Sequence, residues 1–178
     1  MSEGRRAILD ARARLLARVP DEPPRAGELL ELVVFVLGGE RYGIESRFVR
    51  EVARLTRFTP VPGTPAFVLG ITNLRGEILA LFDLRHLLGV VAEGVTDLGR
   101  IVVLGEHRRE FGLLADAASE ILYVPGKSLA QTETAWGRAY LRGLSPDGVI
   151  VLSGEALLND RRLTIDALQD AQDSRHAS

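Results

Sequence analysis

The feature that most restricts the fold of this chain is an internal duplication. The order of strand and turn signals in residues 32–88 recurs in residues 101–158. The matching segments are residues 42–44 with 111–113, 51–52 with 120–121, 61–62 with 124–125, 78–81 with 149–152, and 87–88 with 157–158. Short apolar runs separated by turns are typical of small β-barrels. Neither half holds enough apolar residues to form a stable hydrophobic core by itself, so we expect two barrels of about five strands each that pack together.

The duplication also predicts how the chain is divided. We expect one barrel over residues 28–95 and the other over residues 98–160, inside a single domain that spans residues 26–165. The groove between the two barrels is the expected binding site. A C-terminal helix is predicted from Glu155 to Ala171, so that residues 166–178 hold its end and a polar tail.

An amphipathic helix and a proline-rich linker are predicted for residues 1–25. Apolar side chains recur there at spacings of three and four, at Ala7, Ile8, Ala11, Leu15, Leu16 and Val19. Five arginines share the same stretch, and prolines follow at positions 20, 23 and 24. Two interpretations stay open, because such a helix either packs on its own domain or presents a basic surface for a partner or a second copy.

Composition excludes several classes of function. The net charge of −2 provides no electrostatic footprint for nucleic acid. The absence of cysteine excludes disulfides, thiolate nucleophiles and Cys-based metal sites. The three histidines have no metal-ligand spacing, and no phosphate-binding or nucleophile motif is present. With no signal peptide and no apolar run of the roughly 20 residues that a membrane span needs, we expect a soluble, intracellular protein. Because these catalytic and ligand-binding motifs are missing, we also expect that it is not an enzyme and holds no cofactor.

The most regular local pattern is a hairpin followed by a short helix in residues 70–89. Asn73 and Gly76 supply turn chemistry between two apolar strands. Asp83 stands where a helix N-cap belongs, and Gly89 stands where the helix should end. The second copy has Ser153-Gly154 in place of Asp83-Leu84 and no clean equivalent of the turn.

Arg75 lies at the tip of this hairpin and is one of four candidate contact residues. A purely architectural hairpin would be needed equally in both copies, so the divergence argues for a specific role of Arg75. Glu51 supplies an opposite charge, and Val49 is expected on the same strand face as Glu51 because it lies two residues away. Ile78 lies three residues after Arg75 in the sequence. An apolar patch rimmed by opposite charges predicts a protein-docking surface, whereas the alternative is that Glu51 and Arg75 are ordinary solvated residues.

The order of these motifs resembles the CheW family, the coupling proteins of bacterial chemotaxis. The resemblance covers residues 29–160. The residues that carry it are 32–38, 42–44, 49–52, 65–76 with its Asn-Leu-Arg-Gly turn, and Asp83-Leu84-Arg85. The resemblance implies a mainly β fold of two SH3-like five-stranded barrels around a shared core. It also implies that Val49, Glu51, Arg75 and Ile78 contact partner proteins.

The implied partners are the cytoplasmic tip of a chemoreceptor and the regulatory domain of a CheA-type histidine kinase. A protein of this kind would be cytoplasmic and recruited to membrane-associated receptor arrays without inserting into the membrane. Two segments depart from the family pattern, Ala117-Ala118 and Ser153-Gly154. If they weaken a kinase interface, the chain would instead be an accessory CheW-like protein that binds receptors or another partner and has lost kinase coupling.

Overall fold

The computed structural model describes residues 28–89, 99–132 and 139–164, together with residues 166 and 168. The described strands are β1 (Leu29–Leu37), β2 (Glu40–Glu45), β3 (Val49–Arg54), β4 (Val68–Leu74), β5 (Glu77–Phe82), β6 (Arg100–Leu104), β7 (Phe111–Ala115), β8 (Ala117–Pro125), β9 (Leu141–Leu144) and β10 (Ile150–Leu152). Two short helices follow β5 and β10, α1 (Leu84–Leu88) and α2 (Gly154–Leu158). The predicted mainly β fold is therefore confirmed.

The strands form two five-stranded sheets of the same design. Sheet A has the order β8-β1-β2-β10-β9, and sheet B has the order β3-β6-β7-β5-β4. Each sheet therefore takes two strands from one half of the chain and three from the other. The assignment of one barrel to residues 28–95 and the other to residues 98–160 is wrong in this respect. Neither half closes a sheet alone, because β3 and β8 each pair with the first strand of the opposite half.

The strand register shows that the two halves are related position by position. Glu51 lies opposite Val103, and its equivalent Glu120 lies opposite Val34. The last strand of each half runs parallel to a strand of the other half, with Ile150 beside Tyr42 and Ala80 beside Phe111. The sequence match of residues 78–81 with 149–152 is consequently off by one, since Leu79–Phe82 is the segment equivalent to residues 149–152.

Apolar side chains form one shared core and two smaller barrel cores. The shared core joins both sheets and includes Phe35, Tyr42, Phe82, Phe111 and Leu152. A second cluster fills the barrel formed by sheet A, around Leu32, Val34 and Val151. A third fills the barrel formed by sheet B, around Leu81, Ile101 and Val103. Side chains alternate along the strands, so that one face enters a barrel core while the other packs in the shared core or, over much of β1 and β8, is exposed.

The first short helix lies where the sequence predicts, whereas the second begins one residue before the predicted Glu155 and ends earlier than expected. The carboxylate of Asp83 accepts a hydrogen bond from the backbone N–H of Arg85 and starts α1, which ends at Gly89. Ser153 caps α2 in the same way. The helix predicted to run to Ala171 instead ends at Leu158, because Asp160 caps a separate 3₁₀ turn.

The flanking segments fall largely outside the described residues. The predicted N-terminal helix and linker at residues 1–25 lie outside them, as does most of residues 166–178. None of the helices in the described ranges has the length and apolarity needed to cross a membrane.

Candidate docking site

The tip of the β4–β5 hairpin is a two-residue turn made by Arg75 and Gly76. Leu74 pairs with Glu77, so only these two residues connect the strands. Their φ angles are 53° and 89°, and both are positive, as a type I′ turn requires. The side chain of Asn73 accepts a hydrogen bond of 2.8 Å from the backbone N–H of Gly76 and closes the turn.

The backbone of Arg75 is strained in a way that points to its side chain. Among the described residues, Arg75 is the only non-glycine residue with a positive φ. Asparagine, aspartate or glycine fits this position of a type I′ turn better, because a longer side chain is disfavoured in the left-handed region. Residues held in sparsely populated backbone conformations cluster at binding and catalytic sites, which makes Arg75 a candidate contact residue.

A chain of alternating charges holds the Arg75 side chain beside the hairpin. One carboxylate oxygen of Glu51 lies 3.1 Å from a guanidinium nitrogen of Arg75, and the other accepts a hydrogen bond of 2.7 Å from Nε of Arg109. Arg109 also lies 3.2 Å from the carboxylate of Glu77. The hydrogen bond that Arg109 donates to Glu51 is the main cause of the raised pKa of Arg109. Glu51 is the common anchor of this cluster, because both arginines bind it.

Exposure separates the anchor from the group that it presents. The side chain of Glu51 is 17% exposed, whereas that of Arg75 is 70% exposed. The structure therefore brings these two predicted residues together in different roles. Glu51 is positioned to bind the guanidinium group of Arg75, and most of the Arg75 side chain stays exposed to a partner.

Val49 does not share the face of Glu51, contrary to the sequence prediction. A bulge at Arg50 places Val49 opposite Leu104 and Glu51 opposite Val103. Leu104 belongs to the shared core, against which Val49 packs, whereas Val103 belongs to the barrel core of sheet B. The simple alternation of side chains fails because the bulge inserts one extra residue between Val49 and Glu51.

Ile78 is half-exposed and lies on a groove next to the charge cluster. It is 51% exposed although it is a large aliphatic residue. The groove has a volume of 510 Å³. Its walls come from the start of β5, the β6–β7 turn and the C-terminal segment, namely Glu77, Ile78, Leu79, Arg108, Arg109, Glu110, Leu163, Thr164 and Asp166.

Sequence reasoning missed Arg109 and Glu77 as members of the cluster. Arg109 lies in the β6–β7 connection, 58 residues from Glu51, so no local spacing indicates the contact. The duplication offers one indirect signal, because Glu120, the equivalent of Glu51, also binds an arginine of the opposite half, Arg41 at the start of β2. In each half, an acidic residue at this point of the third strand therefore pairs with an arginine of the opposite half.

The second hairpin lacks the segment that carries the cluster. Ile71 and Leu144 are equivalent, since each makes an isolated bridge to the preceding loop, with Thr59 and Ala130 respectively. After Ile71 the chain uses residues 72–78 to reach Leu79, whereas after Leu144 it uses only residues 145–148 to reach Val149. The first hairpin is therefore extended by three residues, and Arg75, Glu77 and Ile78 all lie in the extended segment.

The described residues offer no group of three metal-binding side chains. Within residues 28–89, 99–132 and 139–164, no three histidine, aspartate or glutamate side chains are placed to hold a metal ion. What the site provides is a charged, partly apolar surface on a stiff hairpin, which suits recognition of another protein.

Comparison with known proteins shows similarity to the CheW-like family. A family model described as the CheW-like domain matches residues 31–162. The chain is similar to the chemotaxis protein CheW of Rhizobium meliloti, with 36% identity over 117 residues, 64% of this chain and 76% of that protein. It is also similar to the chemotaxis protein CheW of Treponema pallidum, with 32% identity over 76% of this chain and 86% of that protein.

A solved structure has a similar fold. The crystal structure of the scaffolding protein TtCheW from Thermoanaerobacter tengcongensis superposes with a TM-score of 0.60 at 29% identity. The match covers 71% of this chain and 88% of that chain.

Proposed function

This chain belongs to the CheW-like family of chemotaxis scaffold proteins, and we propose that it bridges the cytoplasmic tip of a chemoreceptor and the regulatory domain of a CheA-type histidine kinase. It acts in the cytoplasm at receptor arrays, as an adaptor rather than as a catalyst. The observation that carries the contact surface is the extended β4–β5 hairpin, which presents Arg75 and Ile78 and has no counterpart in the second half.

The geometry suits a contact that is arranged before the partner arrives. Two salt bridges hold Glu51 between Arg75 and Arg109, and the turn fixes the backbone of Arg75. A side chain that is already placed loses less conformational freedom on binding, so more of the contact energy appears as affinity. We assign Arg75 to an acidic group of the partner and Ile78 to an apolar side chain next to it.

Glu51 and Val49 support this surface from two sides of β3. Glu51 positions Arg75 through its carboxylate. Val49 packs against the shared core and holds the start of β3, so we give it a supporting role and not a place in the same exposed patch. The four residues named from the sequence thus divide into two that meet the partner and two that position them.

The alternative of an accessory protein without kinase coupling depended on the departures at Ala117-Ala118 and Ser153-Gly154. Packing within the domain accounts for two of these residues. Ser153 caps α2 as Asp83 caps α1. Gly154 makes room for Phe48, whose ring atoms lie within 2.6 Å of the place that a Cβ would occupy. These substitutions therefore supply no separate argument against a kinase interface.

The decisive experiment is a binding measurement with each partner separately. The full chain is titrated against a receptor signalling domain and against a CheA-type regulatory domain, with Arg75→Glu and Arg41→Glu as the matched variants. Arg41 is 35% exposed and pairs with Glu120, the equivalent of Glu51 in sheet A, so it is a control for loss of a surface arginine. We expect Arg75→Glu to weaken binding by roughly tenfold or more and Arg41→Glu by less than about twofold.

Each outcome separates the candidates. Binding to neither partner would contradict the proposed function. Binding to the receptor domain alone would identify the accessory protein. A thermal melt of Arg75→Glu accompanies the titration, and a collapse of the fold would show that Arg75 is structural.

A further inference from the structure

An exposed apolar strip runs along the outer face of β1 and β8 in sheet A. The strip consists of Leu29, Val33, Ile121 and Tyr123. Ile121 pairs with Val33, and Leu29 follows along the same face of β1. Leu29, Ile121 and Tyr123 are 60%, 50% and 61% exposed. A contiguous apolar strip on a sheet face is a mark of an interaction surface.

The fold itself does not require this strip, as the equivalent face of sheet B shows. The position of Tyr123 is held there by Arg54, and the position that Glu31 occupies next to Tyr123 is held by Arg100. Val102, the equivalent of Val33, is fully buried. Sheet B thus has arginines where this face meets solvent, whereas in sheet A the apolar residues Leu29, Ile121 and Tyr123 are exposed to solvent.

The segment that leads into the strip has the composition to cover it. Residue 28 precedes Leu29 directly, so the N-terminal residues enter the structure at one end of the strip. The predicted helix over residues 3–19 has an apolar face of alanine, leucine, isoleucine and valine. The nine residues from 20 to 28 can span up to about 30 Å, which lets that helix turn back onto β1 and β8.

Charge complementarity favours the same occupant. Residues 3–19 hold five arginines against Glu3 and Asp10, a net charge of +3. The strip carries Glu31 on its own face, and Glu28 lies at its end. Glu31 lies opposite Tyr123 on the paired strand, and its negative charge raises the pKa of the Tyr123 hydroxyl. In sheet B, the arginines at positions 54 and 100 would repel the same segment.

We propose that residues 3–19 dock as an amphipathic helix on the strip of Leu29, Val33, Ile121 and Tyr123 of their own chain. Docking covers the apolar face of the helix and that of the strip with one contact.

The absence of cysteine makes a cross-linking test direct. The variant Ala11→Cys/Glu31→Cys places one thiol on the helix and one on the strip. Its matched control is Ala11→Cys/Arg100→Cys, at the equivalent exposed position of sheet B. With oxidised glutathione added as the oxidant, which is reduced to glutathione, we expect a disulfide within one chain in the first variant to form at least about tenfold faster than in the second.

A second set of variants controls for the tether, which by itself keeps the two thiols of one chain near each other. Ile121→Ser/Tyr123→Ser in the first variant removes the two apolar contacts from residues that are already half-exposed. If the helix docks, the rate of the disulfide falls by several-fold, whereas a loose tether would leave it unchanged. Non-reducing gels and size-exclusion chromatography separate bonds within a chain from bonds between chains. An unchanged rate, equal rates in both sheets, or bonds only between chains would each overturn the proposal.

Discussion

The two hairpins that close the two sheets show how a duplicated fold can carry a site in only one copy. Both hairpins contain a bulge and a bridge to the preceding loop at equivalent places. The hairpin of residues 145–148 is sufficient to close its sheet. The hairpin of residues 72–78 is three residues longer, strained at Arg75 and linked to Glu51. What exceeds the minimum needed for closure is therefore the part best explained by function.

A second difference between the halves concerns packing rather than recognition. Phe48 fits against Gly154 in one half. The strand register makes Ala117 the equivalent of Phe48 and Leu84 the equivalent of Gly154. The large and the small residue have thus exchanged elements between the halves. Gly154, which looks like a loss in the sequence, is the residue that gives Phe48 its space.

The largest expected effect comes from replacing Gly154 of the second half by leucine, the residue at the equivalent position 84 of the first half. Gly154→Leu places a side chain where a Cβ alone would lie 2.4 Å from a ring carbon of Phe48. Overpacking of this kind costs roughly 1–3 kcal/mol of the free energy of unfolding, or more when the backbone must shift. Denaturant unfolding of the variant measures the loss.

A double variant decides whether the two halves are interchangeable at this point. Phe48→Ala/Gly154→Leu reproduces the pair found in the other half. We expect it to be more stable than Gly154→Leu alone, because removal of the ring opens space for the new side chain. If the losses in free energy of unfolding of Phe48→Ala and Gly154→Leu simply add in the double variant, the two packing pairs are not interchangeable, because their surroundings differ.

The next effect concerns the pair of equivalent aromatic residues Phe67 and Tyr140. The backbone carbonyl of each accepts a hydrogen bond from the N-cap residue of a short helix. Arg162 lies with its guanidinium 5.8 Å from the ring of Phe67 and donates a hydrogen bond of 2.5 Å to the hydroxyl of Tyr140. Tyr140→Phe makes the halves alike and should lower the free energy of unfolding by about 1 kcal/mol, whereas Phe67→Tyr should change it less. Chemical denaturation of both variants measures this difference.

The pH dependence of stability provides a separate test of the same contact. Hydrogen bonds from Arg162, opposed by burial and assisted by Tyr140, lower the pKa of Asp160 from 3.8 to about 2. The folded state therefore favours the carboxylate, so its contribution is fully present above about pH 4 and is lost as the pH falls toward 2. We expect a loss on the order of 1–2 kcal/mol over that window, measured by urea unfolding. Asp160→Asn should remove this part of the pH dependence.

Much of this arrangement could be predicted from the sequence, because turns and alternating apolar residues act locally. The hairpin turn, the cap at Asp83 and the shared core follow from such patterns, whereas Ser153, a departure from the family pattern in the sequence, is a cap in the structure. The exchange of strands between the sheets could not be predicted, since it depends on which distant strands pair. The bulge at Arg50 moved Val49 away from Glu51, and Arg109 joined the site from another strand connection, for the same reason.

A smaller effect is expected from replacing Arg75 by the residue that its turn prefers. Arg75→Asn relieves the strain of a positive φ and should raise the free energy of unfolding by roughly 0.5–1 kcal/mol. The same change removes the guanidinium, so affinity for the partner should fall even though the fold becomes more stable. Thermal unfolding and the binding titration are read on the same sample. A more stable variant that binds as well as the parent would show that the strain has no functional cause.

The smallest expected effect compares the two equivalent glutamates, and it asks whether Glu51 acts by positioning Arg75. Glu51→Gln keeps the shape of the side chain but weakens its hold on both arginines, so affinity for the partner should fall by roughly three- to tenfold. Glu120→Gln removes the matching charge in sheet A, where the pair is exposed, and should change affinity by less than about twofold. Repeating both substitutions in Arg75→Asn separates positioning from direct contact. If Glu51 acts through Arg75, Glu51→Gln has no further effect in that background, and an undiminished loss would instead mean that Glu51 itself touches the partner.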